Sequence, residues 1–595
     1  MTKINRMASD WAGSLLEDGD RDWRMLPVAL AMWATMLGVH AWFERCGKGP
    51  SRPPFPAPAS LRRSDRSANL EVSSSLMVVL LAVVLLVVAM SVRSQAGRLI
   101  KIACMLVRWP WTVMVICAAM IATEASMAVE YTQMRDPAIV ATRQGDSFVV
   151  AVMRLTSPVT AASTWQADCQ ANAVIESFEH GNIVTNSHSR VQLFASGSTC
   201  GSIDDGQTIR VHGKIQSARY GSRPVWLTVT AGSKVTLVTP ASLPMRIAAS
   251  MRRSFFSVTE RLPDQGRVLV PGLTIGLLGQ DFVGDRADGT EPVNATFAKL
   301  LEMHFRNSGI IHLMAVSGGH FALVGEFVKR CCALVRMPRQ AVALLSLMAY
   351  FGLAGLMFPS DSVLRALAMG TLAALSMTLG RRAQPLSSLS WTVIAVLLFD
   401  PSMARSFGFA LSCAAVLGIV LCTEPLTEWL NAILPLRLAQ ATSVTLAAQA
   451  FTLPVQVLMT PQLPLLALPA NLIVAPFVNW STVTGLLALL LSPLGMWPAY
   501  SLAWLSSLGT EIMRWCADMF GTLSVSTLPC VGGPSGALLV LVCEILAITL
   551  ARESSSWIRR RTTDEPEFEG ERFVSTWPQR MATWIHETEQ MFESR

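Results

Sequence analysis

Long apolar runs divide the chain into two membrane blocks with a polar, strand-like stretch between them. In the first block, apolar runs of near-spanning length cover 25–43, 76–92 and 110–129. A helix needs about 20 apolar residues to cross a bilayer. These runs therefore predict an N-terminal membrane unit, 1–130, with three spans, and the proline-rich residues 44–75 between the first two predict a loop.

Residues 131–240 lack long apolar runs, and their short alternating segments indicate β-strands. The segments 147–154, 207–215 and 225–230 have strand length and are rich in β-branched residues. They predict a small β-barrel or sandwich. The next stretch, 241–306, is mixed and amphipathic, and we expect it to lie along the membrane surface.

Apolar segments return after residue 307 and predict a second membrane domain that extends to residue 551. Its nine candidate spans are 308–328, 339–358, 362–380, 386–400, 406–422, 441–459, 463–479, 480–497 and 534–551. With the first three they predict a polytopic α-helical membrane protein of about twelve spans. The charged stretch 499–520 predicts an interfacial helix, and 552–595 predict a cytoplasmic tail.

Clusters of basic residues predict the orientation, because cytoplasmic loops carry an excess of Lys and Arg. Such clusters lie at 329–339, 381–382 and 559–561. With twelve spans, all three clusters and both termini fall on one side, which we take as the cytoplasm. The inserted β-domain is then external. The loop 44–75 argues against this orientation, because it would be external and yet carries six Arg or Lys residues.

Composition supports a membrane protein and says little about nucleic acid. The chain has 595 residues, 51% of them hydrophobic and 15% charged, and a mean hydropathy of +0.42. Soluble proteins carry roughly 25% charged residues, which argues against an ordinary soluble enzyme. The net charge of +7 is small for this length. Residues 131–240 hold nine basic and seven acidic residues, so charge alone does not predict DNA binding by the β-domain.

Two cysteines, Cys169 and Cys200, lie in the β-domain, whereas the other ten lie in or near predicted spans. Two cysteines alone in an external domain predict a disulfide that closes a long loop. Two unrelated buried thiols are the alternative. A zinc site is disfavoured because no CxxC pair accompanies them.

Polar residues inside the second block mark candidate functional positions, because an ionisable group in a span is costly. The densest group comprises His312, Ser317, Gly318, Gly319 and His320. On an uninterrupted helix the two histidines would lie on roughly one side. The glycine pair also predicts a break in the helix, which membranes tolerate where the backbone lines a cavity or is buried. Histidines that only pack are the alternative.

This segment resembles the ComEC-type competence proteins, the inner-membrane channels of natural DNA uptake. Residues 312–320 read HLMAVSGGH, similar to the family stretch H-L-L-A-I-S-G-x-H. Four further pieces match the family in the same order: GLLGQDFVGDRADG at 276–289, SVLRA and GRR within 362–382, DP and SFGFALS within 400–412, and finally Leu453–Pro454, Asn471 and Pro476. Ala410 stands where the family usually has Gln.

The resemblance covers roughly 265–500 by motif and 25–240 by architecture. It implies an OB-fold-like external domain, passage of single-stranded DNA inward, and roles in the channel for Arg365 and Asn471 beside the 312–320 motif. It also implies an external DNA receptor. No phosphate-binding Gly-x-x-x-x-Gly-Lys-Ser/Thr loop occurs in the sequence, so we expect a cytoplasmic ATPase or helicase partner. Contact with membrane lipid is expected, and the sequence leaves open whether the protein forms a homo-oligomer.

The polar residues of the second block also have simpler interpretations. Asp361 and Arg365 are four positions apart and predict an ion pair at a helix start. Alternatively, Arg365 snorkels to the interface or faces a cavity through which a phosphate chain passes. Gln456 is expected to form hydrogen bonds between helices, and Asn471 is the expected exception because the family pattern covers it.

The family's metallo-β-lactamase-like domain, with its H-x-H-x-D-H signature, has no counterpart in this sequence. We therefore predict no metal, no cofactor and no enzymatic activity. Two alternatives remain open. One is a transporter or envelope-assembly protein for another polymer or solute on the same scaffold. The other is an intramembrane hydrolase that uses Ser317 with His320 or His312, which is disfavoured because Val316 provides no nucleophile-elbow context.

Overall fold

The computed structural model describes most of the chain beyond residue 109. The described residues are 17–18, 21–46, 109–144, 147–162, 167–180, 183–197, 199–218, 223–230, 232–233, 235–284, 293–381 and 384–563. The predicted span 76–92, the loop 44–75, Arg382 and the tail beyond residue 563 lie outside them. The described residues divide into two units, with the boundary between Leu541 and Val542.

The N-terminal unit consists of apolar helices. After the short antiparallel pair β1 (Glu17–Asp18) and β2 (Arg21–Asp22), helix α1 covers Leu26–Cys46 and helix α2 covers Trp109–Arg135. Leu26–Phe43 and Val113–Arg135 are long and apolar enough to span a membrane. The predicted helices at 25–43 and 110–129 are therefore confirmed. Helix α3, Pro137–Gln144, leads from α2 to the β-domain.

The β-domain is a barrel-like sheet between Ser147 and Thr239. Its strands are β3 (Ser147–Leu155), β4 (Thr160–Ala161), β5 (Cys169–His180), β6 (Ile183–Asn186), β7 (Arg190–Ala195), β8 (Thr208–Ser217), β9 (Val225–Val229) and β10 (Thr236–Thr239). Strand β3 pairs antiparallel with β5 and β8, and β5 pairs antiparallel with β7. Strand β9 pairs in parallel with β7 and antiparallel with β8, which closes a ring of five strands. Helices α2 and α3 occupy 131–144, so the strands begin later than the predicted domain boundary.

Alternating side chains fill the interior of the barrel. Along β3, Val149, Ala151, Met153 and Leu155 are buried, and the residues between them are more exposed. This period of two is the pattern of a strand with one face on a core. The interior side chains come from all five strands of the ring, so the strand prediction from alternation is confirmed.

A disulfide links Cys169, at the start of β5, to Cys200 in the short helix α4 (Thr199–Ser202). The two Cα atoms lie 5.9 Å apart, within the range that a disulfide spans. The predicted pairing is confirmed.

Helices make up most of the described residues after the barrel. They are α5 (Leu243–Thr259), α6 (Asp264–Ile275), α7 (Ala295–Asn307), α8 (Gly318–Leu334), α9 (Arg339–Leu356), α10 (Asp361–Thr378), α11 (Pro385–Phe399), α12 (Phe407–Leu430), α13 (Leu436–Met459), α14 (Ala467–Leu491), α15 (Met496–Gly521) and α16 (Gly533–Thr563). Short 3-10 turns lie at Gly279–Asp281, Ile311–Met314 and Pro401–Arg405, and β11 (Gln462–Pro464) pairs with β12 (Thr527–Pro529).

Among the described residues, six helices are long and apolar enough to cross a membrane. Besides the two N-terminal ones they are Arg339–Leu356, Phe407–Leu430, Leu436–Met459 and Ala467–Leu491. Pro385–Phe399 and Gly533–Ala547 are shorter apolar helices. The chain is thus a mostly helical protein with several candidate spans and an inserted β-barrel-like domain.

Two of the predicted span boundaries are wrong. The predicted spans 463–479 and 480–497 form one helix, α14. The polar residues near position 480 do not end this helix, because Ser481 and Ser506 of α15 each donate a hydroxyl hydrogen bond to the other's carbonyl at 2.9 Å. The predicted span 308–328 is not one helix either, since α8 begins only at Gly318.

The segment 241–306 contains a helix that is packed inside the protein. Nine of the twelve residues of α6 are buried. Val268, Leu269 and Leu273 share a core cluster with Ala470 of α14 and Met513 of α15. The expectation of a membrane-surface position is therefore wrong for α6, because both sides of this helix meet other helices.

Candidate functional site

The 312–320 stretch contains a break between two helical elements. His312 lies in the 3-10 turn Ile311–Met314, and α8 begins at Gly318 with Ser317 as its N-cap residue. The backbone at Ala315 and Ser317 is extended. His312 and His320 are thus on separate elements, so the one-helix arrangement is wrong, whereas the predicted break is present immediately before the glycine pair.

His320 is buried, with 3% of its surface exposed, and caps the end of α6. Its Nε2 lies 2.6 Å from the carbonyl oxygen of Leu273. A carbonyl only accepts, so Nε2 carries the hydrogen. Leu273 is in the last turn of α6, where carbonyls have no partner within the helix. Gly276, at φ +79°, ends α6. The histidine therefore supplies a hydrogen bond that α6 itself cannot provide.

The other ring nitrogen of His320 faces the main chain of Ser317. Nδ1 lies 3.4 Å from the Ser317 nitrogen and 3.2 Å from the Ser317 carbonyl oxygen. The Ser317 hydroxyl accepts from the backbone N–H of His320 in a capping box, and within the described residues no hydrogen bond joins it to the imidazole ring of either histidine. The arrangement of a nucleophile beside its base, which a hydrolase needs, is not what this motif forms. His312 itself is exposed in its turn.

Arg365 lies inside the protein, with 6% of its surface exposed. Its Nε donates to the hydroxyl of Ser412 on α12, and its Nη1 contacts Met369 Sδ at 3.3 Å. The hydroxyl of Ser362 lies 3.3 Å from that of Ser412. Arg365 therefore does not snorkel to an interface; its guanidinium is held between α10 and α12.

The guanidinium of Arg365 also lies beside the first turn of α8. A Cβ at Gly318 would stand 3.1 Å from Arg365 Nη2, so glycine leaves the space that the guanidinium occupies. The first N–H groups of a helix have no intrahelical partner and carry partial positive charge. Within the described residues, no carboxylate lies within ion-pair distance of Arg365. The site is thus cationic, and its chemistry suits an anion such as a phosphate.

The predicted ion pair between Asp361 and Arg365 is wrong. The Asp361 carboxylate accepts a hydrogen bond from the Ser406 hydroxyl instead. Ser406 is the N-cap of α12 and also accepts from the Phe409 N–H at 3.2 Å. A Cβ at Gly408 would lie 2.7 Å from Asp361 Oδ2. Asp361 therefore joins the start of α10 to the start of α12 and leaves Arg365 without its expected partner.

Asn471 is not joined to this cluster. Its Nδ2 donates to the Ala467 carbonyl of its own helix at 2.8 Å, and in the described residues nothing links it to Arg365. Gln456 likewise bonds within its own helix, to the hydroxyl of Thr452 at 3.2 Å. The expectation of an interhelical hydrogen bond is therefore wrong for Gln456. Its side-chain amide donates instead to a residue four positions earlier in the same helix, as the amide of Asn471 does.

Two arginines that the sequence did not single out tie the β-domain to the helices. Arg190 on β7 forms an ion pair with Asp400 at 2.6 Å and donates to the hydroxyl of Ser402 at 3.2 Å. The only sequence signal for the Arg190–Asp400 pair was that Asp400 lies in a matched motif.

The second bridge starts from the buried Arg252 on α5. It donates to the Gly355 carbonyl at 3.0 Å and to Asp205 at 3.4 Å. Burial lowers the pKa of Arg252 and raises the pKa of Asp205, although each charge opposes the shift of the other. The bridge joins the barrel loop that carries Asp205 to the end of α9.

Comparisons with known proteins agree with the motifs. Residues 295–555 match the family described as "Competence protein". The chain is 26% identical over 314 residues to ComE operon protein 3 of Bacillus subtilis (strain 168). This similarity covers 52% of the chain and 37% of that relative, so the chain spans little more than a third of the relative's length. No solved structure matches the chain.

Proposed function

Because the match over residues 295–555 identifies this chain as a ComEC-type competence protein, we propose that it forms a channel through which single-stranded DNA crosses the cytoplasmic membrane inward. The observation that carries the proposal is the convergence of three motif segments on Arg365. Ser412 accepts a hydrogen bond from Arg365, and a Cβ at Gly318 would stand 3.1 Å from Arg365 Nη2. Segments far apart in sequence thus build one cationic position.

Arg365 supplies the chemistry that a passing phosphate chain needs. A guanidinium binds phosphate through charge-assisted hydrogen bonds, and a helix N-terminus adds partial positive charge. Ser412 holds Nε and Nη1 contacts Met369, so Nη2 is the nitrogen that lies beside the first turn of α8. A backbone contact of this kind is independent of base sequence, as general DNA uptake requires.

We assign the β-domain to the OB type on the order of its strands. Strands β3, β5 and β7 form an antiparallel meander, β9 lies parallel to β7, and β8 closes the ring. This is a five-stranded Greek-key barrel, the arrangement of OB-folds. Of its described aromatic side chains, Phe178, Phe194 and Trp226 are buried, and Phe148 is 71% exposed. Base stacking on the barrel is therefore not part of the proposal.

The orientation places the barrel outside and both termini in the cytoplasm. The disulfide supports this side, because structural disulfides form in oxidising compartments. In this proposal the chain is a passive conduit and not an enzyme. An external receptor delivers the strand, and a cytoplasmic ATPase or helicase pulls it inward.

Uptake of labelled transforming DNA tests the proposal. A strain without this protein should fail to internalise the label, and the wild-type chain should restore uptake. Arg365→Gln should reach the membrane in normal amount and yet lose most of the uptake, whereas Arg365→Lys should retain part of it because the charge remains. Arg330→Gln is the matched control, since Arg330 on α8 is exposed and pairs with Glu326.

Two outcomes decide between the hypotheses. Normal internalisation in the deletion strain contradicts the channel, and a defect in another envelope polymer instead supports the transporter alternative. Normal uptake with Arg365→Gln contradicts the proposed contact between Arg365 and phosphate but leaves the channel proposal standing.

A further inference from the structure

A buried histidine and a buried glutamate join the N-terminal helix pair to the second helical block. The side chain of His40 on α1 is 0% exposed and that of Glu130 on α2 is 13% exposed. His40 Nδ1 lies 2.7 Å from Glu130 Oε1, and Nε2 lies 3.2 Å from the carbonyl oxygen of Pro401. Three chain segments thus meet at one imidazole ring.

These two hydrogen bonds fix the number of protons at the pair. The Pro401 carbonyl only accepts, so Nε2 carries one hydrogen. The contact between Nδ1 and Oε1 needs a second hydrogen, because a neutral ring protonated at Nε2 and an ionised carboxylate are both acceptors there. Whether this hydrogen resides on the ring or on the carboxyl, the pair holds one proton more than neutral His40 beside ionised Glu130.

Few charged groups among the described residues lie near the pair. Arg405 Nη2 lies 3.7 Å from Glu130 Oε1 and favours the ionised carboxylate, which places the second proton on the ring. Helix α11, which also packs on α1, carries no titratable side chain. Asp400, which follows it, is paired with Arg190. On α2, Glu124 is exposed.

The turn Pro401–Arg405 connects this pair to the rest of the protein. Trp33 Nε1 on α1 donates to the Ala404 carbonyl at 2.9 Å, a second bond from the same helix to the turn. The turn also carries Ser402, which accepts from Arg190 of the barrel, and it ends at Ser406, the partner of Asp361. A change at His40 therefore acts on a segment that holds both the barrel and the start of α12.

We propose that His40 and Glu130 form a proton-binding site, and that the bound proton clamps helices α1 and α2 onto the turn Pro401–Arg405. Without the proton, the neutral ring has one hydrogen for two contacts, so two acceptors face each other either at Nδ1 and Glu130 Oε1 or at Nε2 and the Pro401 carbonyl. Low-polarity surroundings penalise either arrangement. One of the two hydrogen bonds at His40 is then lost, and the ring no longer holds all three segments together. This inference does not depend on what the chain transports.

Proton counting on the full chain in lipid nanodiscs tests the site. With isotope-labelled histidine, nuclear magnetic resonance reports which ring nitrogens are protonated, and His40→Gln assigns the signal. We expect hydrogens on both ring nitrogens of His40, because each of them has an acceptor within hydrogen-bond distance. An infrared carboxylic-acid band that disappears in Glu130→Gln would place the same proton on the carboxyl and equally support the site. A neutral ring beside an ionised carboxylate overturns it.

A second measurement tests the clamp. Amide hydrogen exchange in residues 401–405, corrected for the intrinsic rate, should quicken about tenfold when the proton is lost at high pH, as expected for one net buried hydrogen bond. Glu130→Gln should abolish this pH dependence, because an amide bonds to Nδ1 without an added proton. His212→Gln, on the exposed side of β8, is the matched control and should leave it unchanged. Equal pH dependence in the wild type and Glu130→Gln overturns the clamp.

Discussion

The Nε2 atom of His320 donates to the carbonyl oxygen of Leu273 at 2.6 Å, and this bond joins the end of α6 to the first turn of α8. His320, which the sequence motif associates with a channel, thus has a structural role. By holding the break before Gly318, it sets where the N-terminus of α8 meets Arg365.

His320→Ala should destabilise the protein, because the Leu273 carbonyl is then left buried without its donor. The loss of one partner of a buried hydrogen bond costs about 1–3 kcal/mol. Thermal unfolding in detergent should show a lower Tm than for His188→Ala, whose side chain is exposed. Equal Tm values for the two variants would contradict the capping role.

Arg190 and Asp400 should show energetic coupling. Their side chains are partly buried and 2.6 Å apart at the junction between barrel and helices. A double-mutant cycle with Arg190→Ala and Asp400→Ala should give a coupling of about 0.5–3 kcal/mol. The exposed pair Arg330–Glu326 is the control and should give less, about 0.2–1 kcal/mol. A coupling no larger than that of the control pair would show that the junction does not depend on this contact.

Two glycine substitutions should have opposite effects on stability. A Cβ at Gly418 on α12 would lie 2.3 Å from the Ala447 carbonyl oxygen on α13, so Gly418→Ala should force the helices apart at a cost of about 1–3 kcal/mol. Gly352 on α9 has no atom within 4 Å of such a Cβ. Gly352→Ala should therefore stabilise by about 0.5–1 kcal/mol. Thermal unfolding of both variants checks the contrast, and a Tm change of the same sign in both would refute it.

Asp281→Asn should stabilise the protein only at higher pH. Burial, reinforced by the Glu302 carboxylate, raises the pKa of Asp281 from 3.8 to about 6. The folded state thus favours the neutral carboxyl, and this stabilisation is complete below about pH 4 and is lost as the pH rises through about 6. Asparagine stays neutral throughout.

The Tm of Asp281→Asn should therefore exceed that of the wild type above about pH 7 and equal it near pH 4. The exposed Asp264 provides the control variant Asp264→Asn, which should show no such crossover. A constant Tm difference across this pH range would disprove the assignment.

Removal of the disulfide should loosen the barrel. Cys169 and Cys200 are 31 positions apart, and a cross-link that closes a loop of this length contributes about 3–4 kcal/mol. The double variant Cys169→Ser/Cys200→Ser should therefore be cut faster by protease within 147–239. Cys117→Ser, which removes an exposed free thiol, should not change the cleavage rate. Unchanged cleavage in the double variant would argue that the barrel's packing alone maintains it.

The overall plan of the fold could be predicted from sequence, and its boundaries could not. Apolar length identified the helices, and alternation identified the strands of the barrel. The sequence predicts two spans in 463–497, whereas the structure has one helix, α14, that runs through Ser481. In the fold its hydroxyl bonds to Ser506, so the helix continues. A hydropathy profile does not show which distant residue will form a hydrogen bond with a polar side chain. For the same reason α6 was placed at a surface although it is buried between helices.

The residues of the candidate site could be predicted from the sequence, but their contacts could not. The motifs singled out His320 and Arg365, yet the spacing suggested one face for the histidines and a pair for Arg365 with Asp361. Both expectations failed because partners distant in sequence, Leu273 and Ser406, form the hydrogen bonds instead. The matched motif at 400–412 marked this region without showing which atoms meet.

The parallel pairing of β7 with β9 affects the order in which the chain assembles. Strand β9 is the last of the five ring strands to be synthesised, and it closes the ring between β7 and β8. Pairings between strands distant in sequence form slowly. Cys169 and Cys200 both precede β9, so their cross-link can form first and shorten the search. Until β9 is synthesised, β7 and β8 each lack this neighbour, and unpaired strand edges are prone to pair with other chains.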